Sequence, residues 1–251
     1  MLDVVIIGGT SLQSLRMLSH VREQKLTSTY GEASADLRIG EVFGKQIAFL
    51  NRHGDSSKIP PHKINYRANI DSLYQLGVKK IIAVNAVGGI SDFAGPLHIS
   101  VPNQIIDYSY GREHTFFEGG LSGVNFVDFS KPLSQSLRDK LIWSGRDLRL
   151  HETAAGFSEQ SCYACTQGPR LETSAEIKRL AQDGCDLVGM TMMPEAVLAR
   201  EKKMEYASLC MVVNWAAGRK DRPITMIEIQ RLVETGSRTI EEVLNNFFRN
   251  L

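Results

Sequence analysis

Compact apolar runs punctuate the chain, and between them apolar side chains return at about every third or fourth position, the period of a helix. The runs lie at Val4 to Ile7, Ile47 to Leu50, Ile81 to Val84, Ile99 to Ile106, Ser161 to Thr166, Asp186 to Met190 and Ala207 to Val213. Their shortness and β-branched content predict buried strands. Tyr66, Ile70, Leu73 and Leu76 share one helical face that stops at Gly77, and Leu133, Leu137 and Leu141 share another. Thr173 with Glu176, and Thr225 with Glu228, have capping-box spacing, so each opens a helix. Pro194 suits a first helical turn, where its missing N–H has no partner to lose. Strands alternating with helices predict an α/β layered fold whose central sheet, largely parallel or mixed, is flanked by helices. No repeat, low-complexity segment or Gly/Pro/Ser-rich linker divides the chain, which reads as one domain over residues 1–251.

Charge narrows the partners. With 29 Lys plus Arg against 28 Asp plus Glu in 251 residues, the net charge is +1. That balance supplies no broad basic field, so neither a dedicated nucleic-acid binder nor a basic membrane-surface protein is expected. No apolar run approaches the roughly 18 residues of a membrane span, and the opening residues lack a charged region and cleavage site, which predicts a cytoplasmic protein. The four cysteines are expected as free thiols. Cys162 and Cys165 form a single CxxC without a second pair or nearby histidines, and read as buried strand residues rather than metal ligands.

Candidate chemistry sits in the loops after the strands, where α/β sheets bind ligands. Gly8-Gly9-Thr10-Ser11 can wrap backbone N–H groups and hydroxyls around an anion, or simply make a tight turn. It lacks the third glycine of a dinucleotide fingerprint and the lysine of a P-loop. Asn51-Arg52-His53-Gly54 offers a guanidinium fork for two phosphate oxygens and an imidazole beside it. Asn85-Ala86-Val87-Gly88-Gly89 frees its backbone for close approach, and Gly189-Met190-Thr191 adds a hydroxyl. Four strand ends offering hydroxyls, amides and an arginine, none with metal-ligand spacing, point to one oxyanion held among them.

These segments, together with His62-Lys63-Ile64-Asn65-Tyr66-Arg67-Ala68-Asn69-Ile70, Gly168-Pro169-Arg170-Leu171-Glu172-Thr173 and Pro194-Glu195, resemble the trimeric purine nucleoside phosphorylase and methylthioadenosine phosphorylase family. The order and spacing match across nearly the whole chain, most closely in the branch acting on S-methyl-5'-thioinosine. The resemblance implies a homotrimer that cleaves an N-glycosidic bond with inorganic phosphate as co-substrate and with neither metal nor cofactor. It implies phosphate contacts from Thr10, Arg52, His53, Asn85, Ala86 and Thr191. Met190 would lie under the ribose, and Leu171, Glu172, Asn214, Trp215 and Ala216 around the base. Asn214, Arg52 and His53 would carry the catalysis. A residue of the neighbouring subunit, from Gly111-Arg112-Glu113-His114-Thr115-Phe116-Phe117, would complete the pocket.

The substrate class follows from two departures within that resemblance. Relatives acting on methylthioadenosine resemble an Asp-x-Asp arrangement at the base, where this chain has Asn214-Trp215-Ala216. A 6-oxopurine offers an acceptor at O6 and a donor at N1, and Asn214 and Glu172 complement that pair. In nucleoside phosphorylases a histidine near the start of the last long helix serves the 5'-hydroxyl. Its nearest counterpart here is Met226, whose thioether suits a 5'-methylthio group. The expected reaction is phosphorolysis of S-methyl-5'-thioinosine to hypoxanthine and 5-methylthioribose 1-phosphate. Phosphorolysis of inosine and guanosine is the alternative, followed by that of methylthioadenosine.

Overall fold

The computed structural model describes residues 2–55, 57–119, 123–221 and 224–251. The first strand, β1 (Val4–Gly8), is followed by β2 (Ser19–Gln24), β3 (Leu37–Val42), β4 (Lys45–Asn51), helix α1 (Tyr66–Gln75) and β5 (Lys80–Gly89). Then come β6 (Ile99–Ser100), β7 (Gln104–Asp107), α2 (Gln135–Asp147), β8 (Phe157–Ser158), β9 (Cys162–Cys165) and α3 (Ser174–Gln182). The chain ends in β10 (Leu187–Gly189), α4 (Met192–Glu201), β11 (Glu205–Trp215) and the long α5 (Met226–Arg249).

The strands form one mixed sheet in the order β2-β3-β4-β1-β5-β10-β9-β7, with β11 paired to both β5 and β6 and β8 added beside β6. Its centre is β5. One edge of that strand is occupied along its length by parallel β11. The other edge is divided between parallel β1 at residues 81–83 and antiparallel β10 at residues 88–89. Side-chain alternation splits the core between the sheet's two faces: Val5 and Ile7 pack in one cluster, Val4 and Ile6 in the other.

Local chemistry sets the helix ends. Asn65 caps α1 by accepting the Ala68 N–H, and Gly77, at φ +78°, turns the chain out of it. Thr173 and Glu176 close a reciprocal capping box on α3. Thr225 accepts the Glu228 N–H at the start of α5. That helix buries Ile229, Gly236, Ile240, Val243, Leu244, Phe247 and Phe248.

The sequence pattern differs from the fold in two places. The run from Ile99 to Ile106 is not one strand: Val101-Pro102-Asn103 separates β6, which joins β11 and β8, from β7, which joins β9. Proline has no N–H for a ladder, and the chain changes partners there. The edge strand β2 carries no buried residue and has no apolar run to announce it.

Candidate active site

A cleft of about 380 Å³ opens where β1, β4, β5, β10 and β11 end. It gathers Thr10, Arg52, His53, Asn85, Ala86, Leu171, Glu172, Met190, Thr191, Asn214 and Ala216, residues spread over two hundred positions of sequence. Its rim adds Pro60, Pro61 and Pro169, and its apolar wall adds Val188, Ile224 and Ile229.

Arg52 lies beneath one end and is only 1% exposed. Its fork is engaged by Glu195, with Nε to Oε2 at 3.1 Å and Nη2 to Oε1 at 2.9 Å. Nη2 also donates to the Ile7 carbonyl at 3.1 Å, and Nη1 donates to the Val84 carbonyl at 2.8 Å. These two carbonyls belong to β1 and β5 where the strands part, at Ile7 of the last pair, Ile7 with Ala83, and at Val84 just beyond it. The guanidinium therefore fills the fork between diverging strands, and one N–H, on Nη1, remains for a ligand. The expectation of a free guanidinium fork for two phosphate oxygens is corrected accordingly. Burial alone would lower the Arg52 pKa, but the charge and hydrogen bonds of Glu195 raise it above its usual value.

Glu195 is fully buried and also accepts the Tyr206 hydroxyl at 2.9 Å. Sequence reasoning gave it no role. A lone carboxylate inside the apolar run Met192-Met193-Pro194-Glu195-Ala196-Val197-Leu198 was the signal, since an acid in such a position needs a buried partner.

His53 turns Nδ1 to the Ile59 carbonyl at 2.8 Å. A carbonyl only accepts, so Nδ1 carries the proton and the neutral ring presents a lone pair at Nε2. Burial, and then the Arg52 charge, hold its pKa below the ordinary value, against the hydrogen bond to Ile59.

Thr191 is held by a buried relay. Ser208 Oγ donates to Asn85 Oδ1 at 2.8 Å, and Asn85 Nδ2 donates to Thr191 Oγ1 at 2.8 Å. Because Thr191 Oγ1 accepts from the amide, its own hydrogen is left to donate elsewhere. Asn85 thus spends its amide on orienting Thr191. Ser208, sited mid-strand in β11, was not singled out in the sequence.

At the other end, Glu172 Oε1 accepts the Thr166 hydroxyl at 2.6 Å, which steadies the carboxylate and leaves Oε2 open. Asn214 Nδ2 donates to the Trp215 carbonyl at 2.8 Å, which fixes which way round the amide sits and leaves a second N–H and Oδ1. Gly88 lies beside Asn214: a Cβ there would come within 3.1 Å of Val188 and 3.3 Å of Asn214 Nδ2. Gly89 serves the fold instead, since a Cβ would meet the Ala94 carbonyl oxygen at 1.7 Å.

Two expected residues, Trp215 and Met226, lie elsewhere. Trp215 is absent from the cleft lining, although its neighbours Val213, Asn214 and Ala216 all join it where β11 is irregular between Val212 and Asn214. With Asn214 and Ala216 facing in, its indole packs over Gly95 and beneath the Lys220 ammonium, 4.7 Å from the ring centre. Met226 opens α5 at 63% exposure and lines a neighbouring hollow with Ser11, Leu12 and Gln13. Its Cα–Cβ bond leans off the free end of the helix, and Ile224 and Ile229 take the apolar positions in the cleft. Phe116 is 8% exposed and packs on Tyr30 at 5.0 Å between ring centres, with the Lys202 ammonium 4.3 Å from its own ring centre. Phe117 is partly buried against the same core, so of the rings in the Gly111 to Phe117 segment His114 is the exposed one.

Among the described residues no three His, Cys, Asp or Glu side chains cluster as a metal would require, and no helix is long and apolar enough to cross a membrane.

A family model for the phosphorylase superfamily matches residues 3–249. A Pseudomonas syringae pv. tomato protein named probable S-methyl-5'-thioinosine phosphorylase is 48% identical over 239 residues, 95% of each chain. A Thermococcus kodakarensis protein named probable 6-oxopurine nucleoside phosphorylase is 40% identical, covering 96% of this chain and 90% of its own. The solved structure of methylthioadenosine phosphorylase from Schistosoma mansoni in complex with adenine superposes with a TM-score of 0.91, at 26% identity, over 98% of this chain and 91% of that one.

Proposed function

The chain belongs to the phosphorylase superfamily, and from that premise we propose that it converts S-methyl-5'-thioinosine and phosphate to hypoxanthine and 5-methylthioribose 1-phosphate. The observation that carries this reading is that one cleft gathers Thr10, Arg52, His53 and Thr191, the residues expected around phosphate, with Asn214 and Glu172, which complement a 6-oxopurine. The names borne by relatives such as the Pseudomonas syringae protein support it.

In the reaction a phosphate oxygen bonds to C1', the C1'–N9 bond breaks with its electron pair leaving on the purine, and the purine takes up a proton as phosphate gives one up. Phosphate is itself the nucleophile, so the protein contributes position and charge stabilisation. The Thr191 hydroxyl, the remaining Arg52 N–H and the Gly9-Thr10 loop hold the anion. Asn85 and Ser208 orient Thr191, and the Ala86 backbone completes the floor. The free N–H of Asn214 stabilises negative charge gathering on the purine, and Glu172 Oε2 accepts from N1–H. A 6-aminopurine has no N1–H, so its pairing leaves buried groups unsatisfied and is disfavoured. Met190 underlies the ribose, and Leu171 and Ala216 border the base. Ile224 and Ile229 give the 5'-methylthio group an apolar wall.

The chain is further proposed to work as a homotrimer. Supporting this, Tyr110, Val124 and Phe126, near in sequence to the Gly111 to Phe117 segment that would meet a neighbour, are 72%, 70% and 93% exposed.

The test is a side-by-side assay of methylthioinosine, methylthioadenosine, inosine and adenosine with and without phosphate. Methylthioinosine is expected to turn over fastest, and only with phosphate. Base release without phosphate, or preference for an adenine nucleoside, overturns the assignment.

A further inference from the structure

Arg112 is 9% exposed, and its guanidinium is consumed by the chain itself. Nε donates to Gln167 Oε1 at 3.0 Å. Nη1 donates to the carbonyls of Met190 at 2.8 Å and Met193 at 2.6 Å. Nη2 donates to those of Thr166 at 3.1 Å and Gln167 at 2.8 Å. A guanidinium has five N–H groups, and these five acceptors, all within 3.1 Å, take them, with the Tyr66 hydroxyl a longer sixth partner at 3.4 Å from Nη1. None is a carboxylate, which sets Arg112 apart from Arg52. A buried cation is costly unless dipoles replace the lost water, so converging four main-chain carbonyls and an amide on one cation is a specific arrangement.

Those carbonyls come from the ends of two neighbouring parallel strands. Thr166 and Gln167 follow β9, whose loop runs on to Leu171 and Glu172, while Met190 and Met193 follow β10 and bracket Thr191. The base-side loop and the ribose-side loop are joined by the Thr166–Gly189 bonds, by Cys165 against the Met193 backbone and by Met190 packed on Gly168, and Arg112 is the one cation that binds carbonyls of both.

We infer that Arg112 is a positioning residue for the nucleoside: it sets the separation of Glu172 from Met190 and thereby the fit of base and sugar together. This rests on the proposed phosphorolysis and deepens it. The phosphate end has its own anchors, because Thr191 is held independently by Asn85 and by the Tyr163 hydroxyl, which accepts its N–H at 3.4 Å. The two substrates therefore respond differently when Arg112 is weakened.

The experiment compares Arg112→Lys with the wild type, varying methylthioinosine and phosphate separately and recording thermal unfolding. A lysine keeps the charge but has three N–H groups for five acceptors. The expected result is a nucleoside KM raised about tenfold or more, the scale of a small displacement of binding groups, with phosphate KM changed less than about threefold. Arg138→Lys is the control: Arg138 is 4% exposed and binds the Pro102 and Glu159 carbonyls away from the cleft. It should lower thermal stability and leave both constants unchanged. Gln167→Met removes one acceptor and keeps the main-chain contacts, and should shift nucleoside KM in the same direction by a smaller factor. Should Arg112→Lys not fold, this variant decides. Unchanged nucleoside KM, or equal rises in both constants, overturns the role. A wild type that cleaves no nucleoside counts against the proposed function instead.

Discussion

At the residue scale, the sequence marked Arg52 as functional, while the structure divides its work between a buried ion pair and a single donor left for a ligand. Which share matters more is measurable. Arg52→Met leaves Glu195 buried without its cation and should destabilise the protein by about 3–5 kcal/mol. The double variant Arg52→Met/Glu195→Met should recover part of that loss in urea unfolding, yet keep a raised phosphate KM. Equal stability of the single variant and wild type would show the pair to be dispensable. His53 gives a pH prediction. Its folded-state pKa is depressed by burial and by Arg52, so the neutral form stabilises the fold. That contribution is complete above the ordinary value of 6.5 and is lost as pH falls through the depressed one. Phosphate, a neighbouring anion, should drive the imidazole pKa upward. Nitrogen-resolved NMR of His53 with and without phosphate tests this, and no upward displacement would separate His53 from the anion. Arg52 and His53 were legible because rare residue types stood together at a strand end. Glu195 and Ser208 were not, because their meaning lies in partners 143 and 123 positions away.

At the element scale, the irregular end of β11 and the phase of α5 decide which neighbours in sequence become neighbours in the cleft. The run Asn214-Trp215-Ala216 reads as one base-binding unit, but its middle member packs over Gly95 and lies outside the cleft lining. The α5 start presents Ile229 to the cleft and Met226 to the adjoining hollow. Met226→Ala should therefore leave the ratio of methylthioinosine to inosine turnover within about a factor of two. Ile229→Ala should shift it toward inosine by about 1–3 kcal/mol, the scale of a small change in an apolar pocket. Matched kcat/KM values for both nucleosides check this, and the reverse ranking would return the 5'-group to Met226. The helices were readable from caps and periodicity: Thr173, Glu176 and the face through Tyr66, Ile70 and Leu73 appear as the spacing required. The strand β2 was not, because Ser19–Gln24 is held by the ladder to β3 and not by burial.

At the scale of the whole molecule, the exposed Tyr110, Val124 and Phe126 make assembly the next measurement. Sedimentation should give about three times the chain mass of 27.9 kDa, and a fully active monomer would remove the shared pocket while leaving phosphorolysis intact. The layered architecture and the set of strand ends were legible from the order of apolar runs. Which strand lies at the centre was not, since pairing between β5 and β11 joins segments more than a hundred residues apart and leaves no local pattern. That central strand also bears on how the enzyme gains its activity. The strands β1, β10 and β11 each deliver a wall of the cleft, and all three lean on β5. The most distant of these pairings closes the longest loop of chain, and such closures are slow. A nascent chain therefore has no partial active site to use, and catalysis begins only after residues past 205 have docked.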